Sequence, residues 1–239
     1  MVGSYRNKER VLQILFFAVS AVGGTTVKEG LFMNTSKRKQ SILDMVELAV
    51  LTAIVLVLQM TGAAIRIPFL GTSVSLVLIP IALGAMLLGP AAGAWLGFVF
   101  GAITYIMGGV MGLDPFTLFL FQAHPIVTAG ICFIKSTLAG FLAGWVYKLL
   151  KDKKPLLAVF LSAMLVPVVN TGIFVLGCLA IIGTIEGYIS FVGLSGTSAL
   201  YFIFILCAGL NFVFEFVVNT IFSPALKRVI DVVSKRIAR

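Results

Sequence analysis

Charge is what this sequence has least of. Asp, Glu, Lys and Arg together make up 11% of its 239 residues, and hydrophobic residues make up 60%; an ordinary soluble domain carries about 25% charged residues. A water-facing surface cannot be assembled from so few ionic side chains, which excludes a soluble globular fold. Histidine occurs once, which excludes a metal cage of several imidazoles. The three cysteines, Cys132, Cys178 and Cys207, fall inside apolar runs without C-x-x-C spacing. They read as small buried hydrophobes, neither ligands nor redox pairs. The phosphate loop G-x-x-x-x-G-K-[ST] is missing, so the chain brings no Walker-type ATPase, and H-E-x-x-H and G-x-S-x-G are missing too. Without a hydrolytic constellation the chain is not expected to be an enzyme, and no metal or cofactor is expected. Without paired carboxylates at membrane depth or a visible internal repeat, an ion-coupled carrier is disfavoured.

What the chain has instead is long apolar runs, each able to cross about 30 Å of hydrocarbon. Six segments can be drawn, near 42–60, 70–88, 90–109, 125–149, 155–183 and 199–222. The expected fold is therefore an all-α polytopic membrane protein with six transmembrane helices. The net charge of +9 sits in clusters at Lys37-Arg38-Lys39, at Lys148 to Lys154, and from Lys227 to Arg239. Six crossings with both termini cytoplasmic put every cluster inside. The outer connections 61–69, 110–124 and 184–198 then carry one basic residue, Arg66. Positive charge distributed in this way belongs to membrane topology, so nucleic acid is not expected as a partner.

Glycine is placed with a four-residue step. Gly89-Pro90 reads as a tight cytoplasmic turn, glycine supplying backbone freedom and proline opening the next helix where its missing N–H is harmless. Gly93, Gly97 and Gly101 share one face of the third segment, and Gly140 and Gly144 share one face of the fourth. Such G-x-x-x-G faces let helices approach closely in lipid.

Residues 1–32 fit this scheme poorly. The apolar stretch "VLQILFFAVSAV", from Val11 to Val22, is too short to span. As a signal peptide it would leave Lys37-Arg38-Lys39 outside, against the topology. Lys28-Glu29-Gly30 can be encoded by a ribosome-binding run just before Met33. The expectation is that residues 1–32 are a leader or a mis-assigned start and that 33–239 form the membrane domain; codons lacking a GGAGG-like run would overturn it.

Polar side chains at membrane depth are costly and so mark function. Lys135 lies about ten residues into the fourth segment, roughly 15 Å deep at 1.5 Å per residue, and needs an anionic ligand or an ion-pair partner. Asn170 follows Pro167 in the fifth segment, and Asn211 and Glu215 lie one turn apart in the sixth. The outer stretches "GAAIRIPFLGTS" and "GLDPFTLFLFQAHP" add Arg66, Asp114, Gln122 and His124 among aromatic residues. That mixture reads either as the lining of a lidded small-molecule pocket or as an interfacial aromatic belt. His124, before Pro125, reads as a helix-start residue.

Six helices in about 200 residues with no ATPase, together with three quoted stretches, resemble a known family. The stretches are "ELAVLTAIVLV", "IPIALGAMLLGPAAGAWLGFVFG" and "FIKSTLAGFLAGWVYKLLK". The chain resembles the substrate-binding S components of energy-coupling-factor (ECF) vitamin transporters, and is most similar to the pantothenate- and riboflavin-type branch. The resemblance implies a subunit of the bacterial cell membrane that binds a water-soluble vitamin from outside. It would then work with a transmembrane coupling subunit and two cytosolic ATPases. It implies docking through the small-residue step Ala49 and Ala53, with Gly93, and a pocket lined by Arg66, Gln122, Lys135, Asn170 and Asn211. Lys135 and Arg66 favour a ligand with a carboxylate or a phosphate, and pantothenate, with its carboxylate, fits first. Biotin stays open, and riboflavin is disfavoured because "GTSVSLV" follows "IPFL" where a K-x-D-x-S-D pattern would be expected. The rival classes are a stand-alone facilitator and a membrane assembly protein.

Overall fold

The structure, a computed structural model, describes residues 40–62 and 76–237. Arg66, residues 1–32 with the leader expected there, and the start of the expected second segment lie outside these residues. The chain divides into residues 1–46 and 47–239. Of the first, only Gln40–Val46 is described; it is helical, with Gln40 Nε2 donating to Asp44 Oδ1 at 2.8 Å.

Every regular element among the described residues is helical. Helix α1 runs Gln40–Gly62. It is followed by α2 (Leu78–Leu88), α3 (Pro90–Thr104), α4 (Pro115–Ala123), α5 (Pro125–Leu150), α6 (Pro155–Ala180), α7 (Ile182–Phe191), α8 (Ala199–Tyr201) and α9 (Leu210–Ile237). Wide π-helical turns at Tyr105–Val110 and Phe202–Gly209 extend α3 and link α8 to α9. Five of these runs are long and apolar enough to span: Gln40–Gly62, Pro90–Val110, Pro125–Leu150, Pro155–Ala180 and Ala199–Val233. With the shorter apolar α2, this is an all-α polytopic membrane protein. Taken alone, the 11 residues of α2 reach about 16 Å, short of the hydrocarbon thickness.

Four of the long elements begin with proline at the first or second helical position, where no N–H is lost: Pro90, Pro115, Pro125 and Pro155. Gly89, with φ +96°, makes the sharp turn between α2 and α3. The expected outer connection 110–124 contains α4. Asp114 caps it, accepting from Thr117 N at 3.0 Å and from Thr117 Oγ1. The connection 184–198 is mostly α7, which breaks from α6 at Ile181. The last helix runs well past Phe222, and Lys227 pairs with Asp231 one turn on.

The glycine step becomes a backbone seam between α3 and α5. A Cβ on Gly93 would lie 2.4 Å from the Gly140 carbonyl oxygen, on Gly97 2.0 Å from that of Ser136, and on Gly101 2.4 Å from that of Cys132. Each four-residue step along α3 meets a four-residue step backwards along α5, so the pair is antiparallel and in register. Gly93 is therefore buried inside the bundle, and the expectation that it serves an outer docking face is corrected: its face is occupied by α5.

Around this seam, Leu51, Val55, Val77, Leu78, Ile81, Leu96, Phe100, Val159 and Val166 form the main core. A second cluster, with Phe116, Ile185, Tyr188, Phe202 and Ile203, joins α4, α7 and the second π-helical turn. Helix α1 contributes one narrow stripe, Leu51, Val55 and Gln59, and leaves Ala49, Val50, Ala53, Ile54 and Val57 exposed.

Candidate functional site

Between the two clusters lies a cavity with about 650 Å³ of space free of atoms, counting its open mouth. Its wall draws on α1 (Gln59), α3 (Phe100, Thr104), the start of α4 (Asp114, Phe116, Thr117), α5 (Lys135), α6 (Asn170, Thr171, Phe174) and the last span (Cys207, Ala208, Asn211, Glu215). These residues sit in the half of the bundle away from the turns at Gly89-Pro90 and 151–154. On the topology expected from the basic clusters, those turns face the cytoplasm and the cavity lies in the opposite half.

The seam sets where Lys135 stands. Ser136 is locked against Gly97, and the adjacent position on α5 is turned out of the seam towards the cavity. The Lys135 ammonium sits 5.3 Å from the centre of the Phe174 ring, a cation–π contact. Among the described residues it makes no salt bridge. Asn170, 4% exposed, meets the same seam from α6, with Ser136 Oγ 3.5 Å from its Oδ1 and 3.3 Å from the Cys132 carbonyl. Gln59 Nε2 donates to Thr104 Oγ1 at 3.3 Å, tying α1 to α3 at the wall.

The last span brings Asn211 and Glu215. Glu215 is 2% exposed and its side chain is within hydrogen-bonding reach of Asn211. Glu215 Oε2 and Asn211 Oδ1 nevertheless have no hydrogen-bond partner among the described residues. Two π-helical turns flank this wall. One follows directly on Thr104, and the other carries Cys207 and Ala208. Such turns recur at functional sites because the extra residue re-aims the side chains beyond it.

Above the cavity the aromatic residues of α4, α7 and the second π-helical turn pack on one another. Phe116 lies 5.0 Å from Tyr188 at 81°, and Tyr188 5.8 Å from Phe202. All three are buried, so here the aromatics form an internal roof. Burial, with Asp114 nearby, pushes the Tyr188 phenol above its ordinary value.

Of the residues expected at the pocket, Lys135, Asn170 and Asn211 are brought together on its wall. Arg66 lies outside the described residues. Gln122 is exposed and does not line the cavity, because α4 turns the face of Phe116, Thr117 and Leu120 inward and leaves Gln122 on the other side. His124 precedes α5, its carbonyl accepting from Thr128 N and Oγ1. Gln59, Thr104, Thr117 and Thr171 were not foreseen. Gln59 had a signal, being one turn beyond Val55 on the buried stripe of α1.

A family model described as the ECF transporter, substrate-specific component, matches residues 43–226. The chain belongs to that family. No curated relative and no solved structure matches it at a significant level. As an ECF substrate-specific component it is a transporter subunit and not an enzyme, and it works with an ECF module of transmembrane and ATPase subunits. The matched span covers almost all of the described residues, so the cavity lies wholly within the family domain.

Proposed function

We propose that this substrate-specific component captures a water-soluble vitamin from outside the bacterial cell membrane, and that the vitamin is pantothenate. The observation that carries the reading is Lys135, a cation reaching a polar cavity at membrane depth with no carboxylate in salt-bridge contact among the described residues. A half-buried ammonium at membrane depth calls for a charge partner, and a carboxylate supplies the strongest hydrogen bond available to it. Pantothenate brings one carboxylate on a small body rich in hydroxyl and amide groups, which suits the Asn170, Thr171 and Asn211 wall. Arg66, outside the described residues, would serve the ligand as a second cation. Ala49 and Ala53, exposed on one face of α1, would dock on the coupling subunit. ATP-driven movement there would topple the component and release the vitamin inside.

The test is thermal stabilisation of the detergent-purified protein against pantothenate, biotin, riboflavin and thiamine. A ligand at a hundredfold excess over Kd adds about 2.7 kcal/mol. A large shift with pantothenate alone is the expected result. A shift with biotin alone would replace the substrate and keep the role, whereas no shift with any of the four would overturn the vitamin-capture reading. Uptake into liposomes without the ATPase module would instead mark a facilitator.

A further inference from the structure

The cavity holds more acceptor capacity than an anionic ligand can use. Lys135 is the cation on its wall, and Glu215 and Asn211 stand on another wall, contributed by the last span. Glu215 is buried to 2% exposure, yet its Oε2 and the Asn211 Oδ1 are left without hydrogen-bond partners among the described residues. An ionised carboxylate is acceptor-only, and an amide oxygen is an acceptor too. Leaving either unsatisfied in a buried place costs free energy that a purely structural role would have removed. Asp114, the other carboxylate on the wall, is different: its Oδ2 is already engaged by Thr117 N and Oγ1 as the cap of α4.

A ligand that offered only an anion would satisfy Lys135 and then face Glu215 across the same cavity. Like charges in a low-dielectric site repel, so Glu215 works against simple anion capture. Its presence is accounted for if the ligand's other end carries donors.

We infer that Glu215 and Asn211 form a specificity-determining acceptor pair that reads O–H or N–H groups on the transported molecule, whose class is then a small two-ended solute with an anion at one end and hydrogen-bond donors at the other. This rests on the function proposed above and sharpens it. A plain carboxylic acid of the same size is excluded by the unsatisfied pair. The discrimination follows from leaving a buried polar atom unpaired, which is how sites built for hydrogen bonding reject analogues that lack the group.

The test uses the full chain and its Glu215→Met variant. The probes are pantothenate, biotin and N-(3,3-dimethylbutanoyl)-β-alanine, which keeps the carboxylate and amide of pantothenate and lacks both hydroxyls. Without ligand, Glu215→Met gives up the Asn211 contact together with one unpartnered buried oxygen for an apolar chain of similar length, so it is expected to melt close to the wild type. With a donor-bearing vitamin its affinity should fall at least tenfold. With the hydroxyl-free probe its affinity should hold or rise, since a repelling charge has gone. Electrostatics alone predicts a rise for every anionic probe, so the sign separates the two. A variant that melts lower and binds the vitamin as tightly as wild type would overturn the acceptor role, and so would equal wild-type affinity for pantothenate and the hydroxyl-free probe. Those results would leave the vitamin-capture reading standing. Failure of the wild type to bind any probe would overturn that reading and this inference together.

Discussion

Gly97 and the Ser136 carbonyl face each other across α3 and α5 so closely that a Cβ on Gly97 would lie 2.0 Å from the oxygen. Backbone on both sides leaves no flexible side chain to move aside. Gly97→Ala must therefore push the two helices apart, and overpacking of this kind costs about 1–3 kcal/mol. Melting of the purified protein, followed by the fluorescence of Trp95 and Trp145, should show the loss. Gly172→Ala in α6 is the control: nothing lies within 4 Å of a Cβ there, so helix propensity alone acts and stability should hold or rise by up to about 1 kcal/mol. Equal destabilisation by both substitutions would show that the seam is not a close contact.

Gly89 isolates a different cause. A Cβ there would meet nothing within 4 Å, but φ is +96°. Gly89→Ala, at φ +96° and ψ 179°, is then a pure test of backbone conformation and should destabilise by about 1–3 kcal/mol. Because Gly89 lies far from the cavity in the opposite half of the bundle, the Kd for the vitamin, measured below the melting range, should not change. A loss of affinity without a loss of stability would refute that separation.

The seam was legible in the sequence because a four-residue glycine step has one geometric meaning on a helix, and Gly89-Pro90 because glycine and proline have such narrow uses at helix ends. Lys135, Asn170 and Asn211 were legible because a polar side chain inside an apolar run stands out. Gln59 and Thr104 stand out less, lying close to the ends of their spans where polar residues are ordinary. The two π-helical turns left no trace in composition, since widening a turn by one residue needs no particular side chain. Gln122 stands off the cavity because the outer connection "GLDPFTLFLFQAHP" holds a helix. Once Asp114 caps a helix there, the face that carries Gln122 points away from the cavity. Gly93 belonged to the seam and not to a docking face, a distinction that spacing alone does not draw.

Lys135→Met tests the charge at the heart of the proposed function. The ammonium has the Phe174 ring as its neighbour and no salt bridge among the described residues, so a methionine of similar reach should pack on the same ring. The ligand-free protein should melt no lower than the wild type. A charge-assisted hydrogen bond contributes about 1.5–3 kcal/mol, so affinity for pantothenate should fall roughly 10- to 150-fold. Pantothenol, in which an alcohol replaces the carboxylate, should bind wild type and variant alike. A variant that lost both ligands equally would point to a disturbed cavity and away from a carboxylate contact.

Ala49 and Ala53 supply the last test, because the proposed function uses them for docking and they do not line the cavity. Both are exposed, one turn apart on α1, while the buried stripe of that helix runs through Leu51, Val55 and Gln59. Enlarging them, as in an Ala49→Leu, Ala53→Leu double variant, fills no internal space and should leave both melting and vitamin affinity unchanged. If this small-residue step receives a helix of the coupling subunit, close approach is what it provides, and two added isobutyl groups hold the partner off. Co-purification of the coupling subunit should then be lost, and ATP-dependent uptake with it, while binding persists. A double variant that still assembled and transported would place the docking surface elsewhere on the bundle. One that lost binding as well would show that α1 shapes the cavity beyond the contribution of Gln59.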